Sequence, residues 1–121
     1  MINPALVYSL LASAAVRRDL VTMRSVLDAH GIHAVTREAV AQYRNSINAA
    51  LVATYNMDVR ANRPPLCALF VLQNGGRKAG TGFRRLEEES FGKKFTDEEW
   101  ATHWERLVDH IYESYSLETS P

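Results

Sequence analysis

The chain has 121 residues, 46% of them hydrophobic and 23% charged, with 14 Lys+Arg set against 14 Asp+Glu. That size and composition predict one globular domain and exclude disordered, collagen-like and coiled-coil chains. Zero net charge excludes a histone-like polyanion binder, yet the zero is segmental: residues 1–64 sum to +3, residues 65–94 to +3 and residues 95–121 to −6.

In chain order, Asn3-Pro4 reads as a helix start, with Asn as N-cap and Pro at the first helical position, where no amide donor is lost. Leu6, Val7, Leu10, Leu11 and Ala14 follow at helical spacing, so a first helix is predicted to end near Arg17. Met1–Val16 has no basic leader and reads as helix rather than signal peptide. Leu20-Val21-Thr22 is short, apolar and β-prone. Thr22 can cap a second helix over Met23–His30, and Gly31 suits the left-handed position after it. Thr36 opens a third helix. Val40, Tyr43, Ile47, Ala50, Leu51 and Thr54 place one stripe toward the core, with fading expected around Asn56–Asp58.

Leu66–Leu72 is a continuous apolar run of strand length between turn signals, so a buried strand is predicted. Asn74-Gly75-Gly76 is a hairpin-type turn, with a short return strand around Thr81–Phe83 and a helical piece near Arg84–Ser90. Thr96 and Glu99 form a capping box, and Phe95 and Trp100 stand as its hydrophobic staple. Trp100, Trp104, Leu107, Val108, Ile111, Tyr112 and Tyr115 then line one face of a C-terminal helix over 95–115, with 116–121 expected to fray.

This order predicts an α+β, mostly helical fold: a winged-helix-like three-helix core, a small β-hairpin and an added C-terminal amphipathic helix. The helical core takes 1–64, and the strand and Gly-rich basic loop take 65–85. An irregular helical domain with a two-stranded ribbon is the alternative.

Two constellations point to nucleic acid. Val26, Leu27, Gly31, Ile32 and Val40 make a fair helix-turn-helix frame, although Arg37 falls where the pattern wants a buried aliphatic. The third helix would then present Arg37, Gln42, Arg44, Asn45 and Asn48 among its polar positions, and Arg and Asn can read guanine and adenine edges from the major groove. Asn74–Arg85 carries four glycines, four basic residues and no acid. As a wing it would hold phosphate through Arg77, Lys78, Thr81, Arg84 and Arg85; as a pocket it would cradle a nucleotide with amide donors at a following helix N-terminus, and a plain solvated hairpin is the third reading. It matches neither GxxxxGK[ST] nor GxGxxG, so nucleotide hydrolysis is not expected.

Cys67 sits inside an apolar run with no adjacent base and reads as a buried small hydrophobe. His30, His33, His103 and His110 lack metal-ligand spacing. His103 and His110, among Glu99, Glu105 and Asp109, read as solvated, and Glu87-Glu88-Glu89 as a solvated face balancing Arg84 and Arg85. No metal, cofactor or catalytic set is therefore expected. A single Cys points to a reducing compartment and cytoplasmic localisation, and no apolar run reaches the ~18 residues of a membrane span.

Arg63-Pro64-Pro65-Leu66-Cys67-Ala68-Leu69-Phe70-Val71, Gly80-Thr81-Gly82-Phe83 and the Trp100…Tyr115 helix carry a resemblance. They resemble a family of small, functionally unassigned bacterial and phage (mobile-element) proteins with an R-P-x-L-x-A-L-V-V segment and a later P-G-x-G-F. Ala79 stands here in place of the Pro. The resemblance implies a prokaryotic or phage origin and no activity. A more distant likeness is to the winged-helix domain of DNA alkyltransferases, whose Pro-Cys-His-Arg stretch precedes a Gly-rich wing. Pro65-Leu66-Cys67-Ala68-Leu69 has an inserted Leu and lacks the His and Arg, so that activity does not carry over.

The resulting expectation is a non-enzymatic module binding duplex DNA or another nucleic acid. The alternative is a protein-interaction module, an adaptor, inhibitor or accessory subunit meeting a host or phage protein. Its surplus aromatics would allow a homodimer through the C-terminal helix.

Overall fold

Asn3 opens helix α1 (Pro4–Arg17) by accepting the Ala5 amide on its side-chain oxygen at 2.9 Å. The computed structural model describes residues 2–71 and 81–119. Val7, Leu11, Ala14 and Ala15 of α1 are buried, and Arg18 ends the helix in the left-handed region at φ 55°. Helix α2 (Met23–Ala29) starts on a reciprocal Thr22/Ser25 capping box, as the sequence predicts from Thr22. Gly31, at φ 74°, turns the chain so that the Ile32 amide reaches back to the Leu27 carbonyl. His30 ties this corner to the N-terminus: its Nε2 accepts the Asn3 amide, so its Nδ1 donates to the Val26 carbonyl.

Helix α3 (Arg37–Arg60) begins at Thr36, whose hydroxyl accepts the Ala39 amide, and runs past the expected fade to Arg60. Its inward stripe holds Ile47, Ala50, Thr54, Tyr55 and Asp58. Helix α4 (Thr81–Phe91) leads through Gly92 to α5 (Asp97–Thr119). The predicted capping box stands: the Glu99 amide donates to the Thr96 hydroxyl, and the Thr96 amide to the Glu99 carboxylate. Backbone helix continues to Thr119 rather than stopping at 115.

The α+β reading is overturned. The described residues form five α-helices and no strand, so neither the β-hairpin nor the winged-helix order exists among them. The Leu66–Val71 part of the predicted strand is a 3₁₀ turn (Leu66–Leu69) with every residue buried, followed by a single parallel bridge between Phe70 and Val21. Leu20-Val21-Thr22 contributes only that bridge, through Val21 N–H to Leu69 O and Val71 N–H to Val21 O. The return strand at Thr81–Phe83 is instead the first turn of α4, and Arg84–Ser90 is helical as expected. Asn74-Gly75-Gly76 and the rest of the proposed wing to Gly80 lie outside the described residues. The connection between α2 and α3 spans residues 30–36, longer than the roughly 3–4-residue turn of a DNA-binding helix-turn-helix.

The core is organised around α1, which packs on α2, α3, α5 and the 3₁₀ turn. Burial on all sides explains why the 66–71 run is uniformly apolar. Beyond the Val21 bridge and its own 3₁₀ bonds, its backbone is satisfied by side chains: Asp58 accepts the Leu66 amide, and the Trp104 indole donates to the Ala68 carbonyl. The aromatic stripe of α5 is likewise spent inward. Trp100, Val108 and Ile111 are buried, and the Tyr112 hydroxyl donates to the Asp19 carbonyl at 2.7 Å.

Candidate interaction surface

The residues expected to contact nucleic acid fall on two helices and on a segment outside the described residues. Arg37, Arg44 and Asn45 are exposed on α3. Thr81 and Arg85 lie on α4, Arg85 exposed, while Arg77 and Lys78 fall outside the described residues. Arg84 is committed inside the molecule: it bonds Glu88, Asp97 at 2.8 Å and the Phe95 carbonyl, holding the end of α4 against the start of α5. Those carboxylates raise its already high pKa further, the Asp97 hydrogen bond contributing most.

An open depression beside it is lined by Arg84, Arg85, Glu88, Glu89, Gly92, Lys93, Lys94 and Phe95. Lys93 already approaches Glu99 at 3.8 Å. Four cations and two glutamates line this depression, and Arg84 among them is already paired with Glu88 and Asp97.

Helix α3 presents a different kind of surface. Its stripe of buried residues fixes the helix phase, so Ala41, Gln42, Asn45, Asn48, Ala49, Val52, Ala53, Asn56 and Val59 all point outward and are exposed. From Asn45 to Met57 there is no Lys, Arg, Asp or Glu. Val52 is 40% exposed, Met57 46% and Val59 48%. Over more than three turns, α3 shows solvent only amides and small or apolar side chains. Arg37 and Arg60 stand at its ends and Arg44 borders the uncharged stretch, and no ion pair among the described residues engages them or Glu38.

Asn48 and Val52 also rim a cavity of about 170 Å³ that is otherwise lined by Leu51, Cys67, Phe70, Gly82, Phe83 and Leu86. Cys67 there is buried, and burial, reinforced by the Asp58 and Glu87 carboxylates, pushes its thiol well above the ordinary range. It is a packing residue, as read from the sequence.

Two polar centres escaped the sequence reading. Glu87, expected to be solvated, is 5% exposed and accepts the Tyr55 hydroxyl at 2.6 Å and pairs with His103 Nε2 at 3.0 Å. His103, also expected to be solvated, is stacked on Phe95 and edged by Phe91. The signal was present: Glu87 sits four residues after Phe83 and one after Leu86, on the apolar phase of α4.

Asp58 is wholly buried and accepts from Tyr8 Oη at 2.7 Å, the Leu66 amide at 3.0 Å and Arg63 Nε at 3.3 Å. Its position continues the inward 47-50-54 stripe. Both carboxylates bind elements together: Glu87 joins α3, α4 and α5, and Asp58 joins α1, α3 and the 3₁₀ turn. Burial first, and then the neighbouring carboxylate, raises the pKa of Tyr8 and of Tyr55.

Among the described residues, no three His, Cys, Asp or Glu side chains gather as a metal site. No helix among them is long and apolar enough to cross a membrane. No family model, curated protein or solved structure matches the chain.

Proposed function

We propose that the chain is a non-enzymatic protein-interaction module, of the adaptor or accessory-subunit kind, that docks through the outward face of α3. The observation that carries this reading is the uncharged stretch 45–57 on an exposed helix. Solvated helix faces are usually studded with charge, and depletion of charge at the centre of a patch marks protein interfaces. A nucleic-acid surface requires the reverse, cations along the contact to neutralise phosphates. The nucleic-acid reading leaned on a winged-helix order that the fold does not have and on Arg84, which is neutralised by Glu88 and Asp97. Packing of Tyr55 and Asp58 against α4, α1 and the 3₁₀ turn holds α3 rigid, the preorganisation that docking favours.

Site-specific photo-crosslinking tests this. Benzoylphenylalanine is placed at Val52 or Asn45 on α3, and at Glu105 on the exposed side of α5 as the control. Covalent protein adducts are expected from the α3 positions and not from Glu105. Equal yields from both helices, together with retardation of duplex DNA at about 50 mM salt, would overturn the reading in favour of nucleic acid.

A further inference from the structure

We infer that the partner seated on α3 is α3 of a second copy, run antiparallel about Ala49; this rests on the docking reading above. Glu38, Gln42, Asn45, Ala49, Ala53, Asn56 and Arg60 are all exposed and follow one another at steps of four and three along one strip of the helix. Such spacing makes a continuous seam for a second helix. The strip is also symmetric about its middle. Reversing it places residue 38 opposite 60, 42 opposite 56, 45 opposite 53, and 49 opposite itself.

The chemistry agrees with that reversal at each level. At the ends, Glu38 meets the partner's Arg60, and the same pair recurs at the other end. A parallel pairing would instead set Glu38 against Glu38 and Arg60 against Arg60, like charges at both ends. Gln42 meets the partner's Asn56, two amides that can each donate and accept. Asn45 meets the partner's Ala53, a larger side chain against a smaller one. The two-fold axis falls on Ala49, whose methyl lets the helix axes approach to about 8 Å. The contact is isologous and closes as a dimer, with no free face left to grow a filament. Arg37 adds to the direction: it stands in the first turn of its own helix, where the dipole disfavours a cation. In the reversed pairing it lies beside the partner's C-terminal carbonyls.

Twenty-four residues of helix are about 36 Å long, so this contact buries less than the ~800 Å² per partner of a standard interface. Its seam is polar. The dimer therefore belongs to the weak class, in the micromolar range or above.

Two measurements on the full chain test it. Sedimentation equilibrium from roughly 10 to 500 µM should follow a monomer–dimer equilibrium at these weak-interface affinities. Glu38→Arg and Arg60→Glu should each weaken dimerisation at least fivefold, and the double exchange should restore it, since it returns opposite charges to both ends. Both positions are exposed, so circular dichroism should report all three variants as folded. Separately, mild oxidation of Ala49→Cys should give a disulfide-linked dimer because the two Cα atoms meet on the axis within disulfide reach. Asp109→Cys, on the exposed side of α5, should not, and the buried Cys67 of the unmodified chain is the background control.

A monomer throughout that range, or a double exchange no better than the single ones, overturns the inference. If in that case Val52 still crosslinks to a different protein, the docking reading stands and only self-pairing falls. If Val52 gives no adduct either, both fall.

Discussion

Asp58→Ala should be one of the costliest single changes in the protein, while Asp58→Asn should be mild. The carboxylate is fully buried and accepts the Leu66 amide, which opens the 3₁₀ turn, and the Tyr8 hydroxyl of α1. Truncation strands the Leu66 N–H at a cost of about 1–3 kcal/mol, and the less buried Tyr8 hydroxyl at about 1 kcal/mol. The Arg63 contact contributes little to the sum, because that guanidinium is 47% exposed and can return to water. Removing a buried charge recovers some desolvation, so a total near 3 kcal/mol is expected, a large share of the 5–15 kcal/mol that holds a domain together.

Asparagine keeps an acceptor for Leu66 and offers its amide to a Tyr8 hydroxyl that can reverse its role. That leaves only the weakened Arg63 contact, roughly 1 kcal/mol. Urea unfolding followed by the fluorescence of Trp100 and Trp104 measures both variants, provided m is unchanged. If alanine costs under about 1 kcal/mol, or asparagine as much as alanine, then Asp58 is not the clasp described above.

Two further predictions concern ionisation and backbone. Tyr8 and Tyr55 have folded pKa values raised above the ordinary 10.0 by burial and by Asp58 and Glu87. Their contribution is fully present below pH 10 and is lost as pH rises toward the folded values, since only the unfolded chain releases those protons there. Absorbance titration of the five tyrosines should leave two un-ionised above pH 10 until the protein unfolds, and all five titrating together would refute it. Gly31→Ala should cost about 1 kcal/mol although no atom stands within 4 Å of the added methyl, because φ is +74°. Gly82→Ala, in α4 with equally open space and no positive φ, should stabilise by about 0.5–1 kcal/mol. Thermal denaturation with the same sign for both would show that conformation is not what separates them.

The helix starts were legible because caps are local. Asn3, Thr22, Thr36 and the Thr96/Glu99 box each satisfy amides within three residues, and nothing distant can countermand that. The 66–71 segment was not legible for the opposite reason. A fully buried strand and a fully buried 3₁₀ turn have the same apolar composition, and what separates them is where the backbone finds its partners. Here those partners include Asp58, eight residues upstream, Trp104, thirty-six residues downstream, and the backbone of Val21. Once the strand is lost, the hairpin and the winged helix built upon it go too.

The uncharged outer face of α3 was hidden by a related ambiguity. Thirteen uncharged residues in a helix look like core, and Asn45 and Asn48 among them look like base-reading side chains when arginines stand nearby. Only the inward phase, fixed by Ile47, Ala50, Thr54 and Asp58, shows that Ala49, Val52, Ala53 and Asn56 face water. The segmental charge fits the same arrangement. Part of the −6 of residues 95–121 is answered within the fold, where Asp97 meets Arg84 and Glu99 meets Lys93. The rest of α5's exposed charge keeps that side hydrated. Under the proposed pairing the neutral face of α3 is the contact, and its ends, acid at 38 and base at 60, match a second copy only when it runs antiparallel.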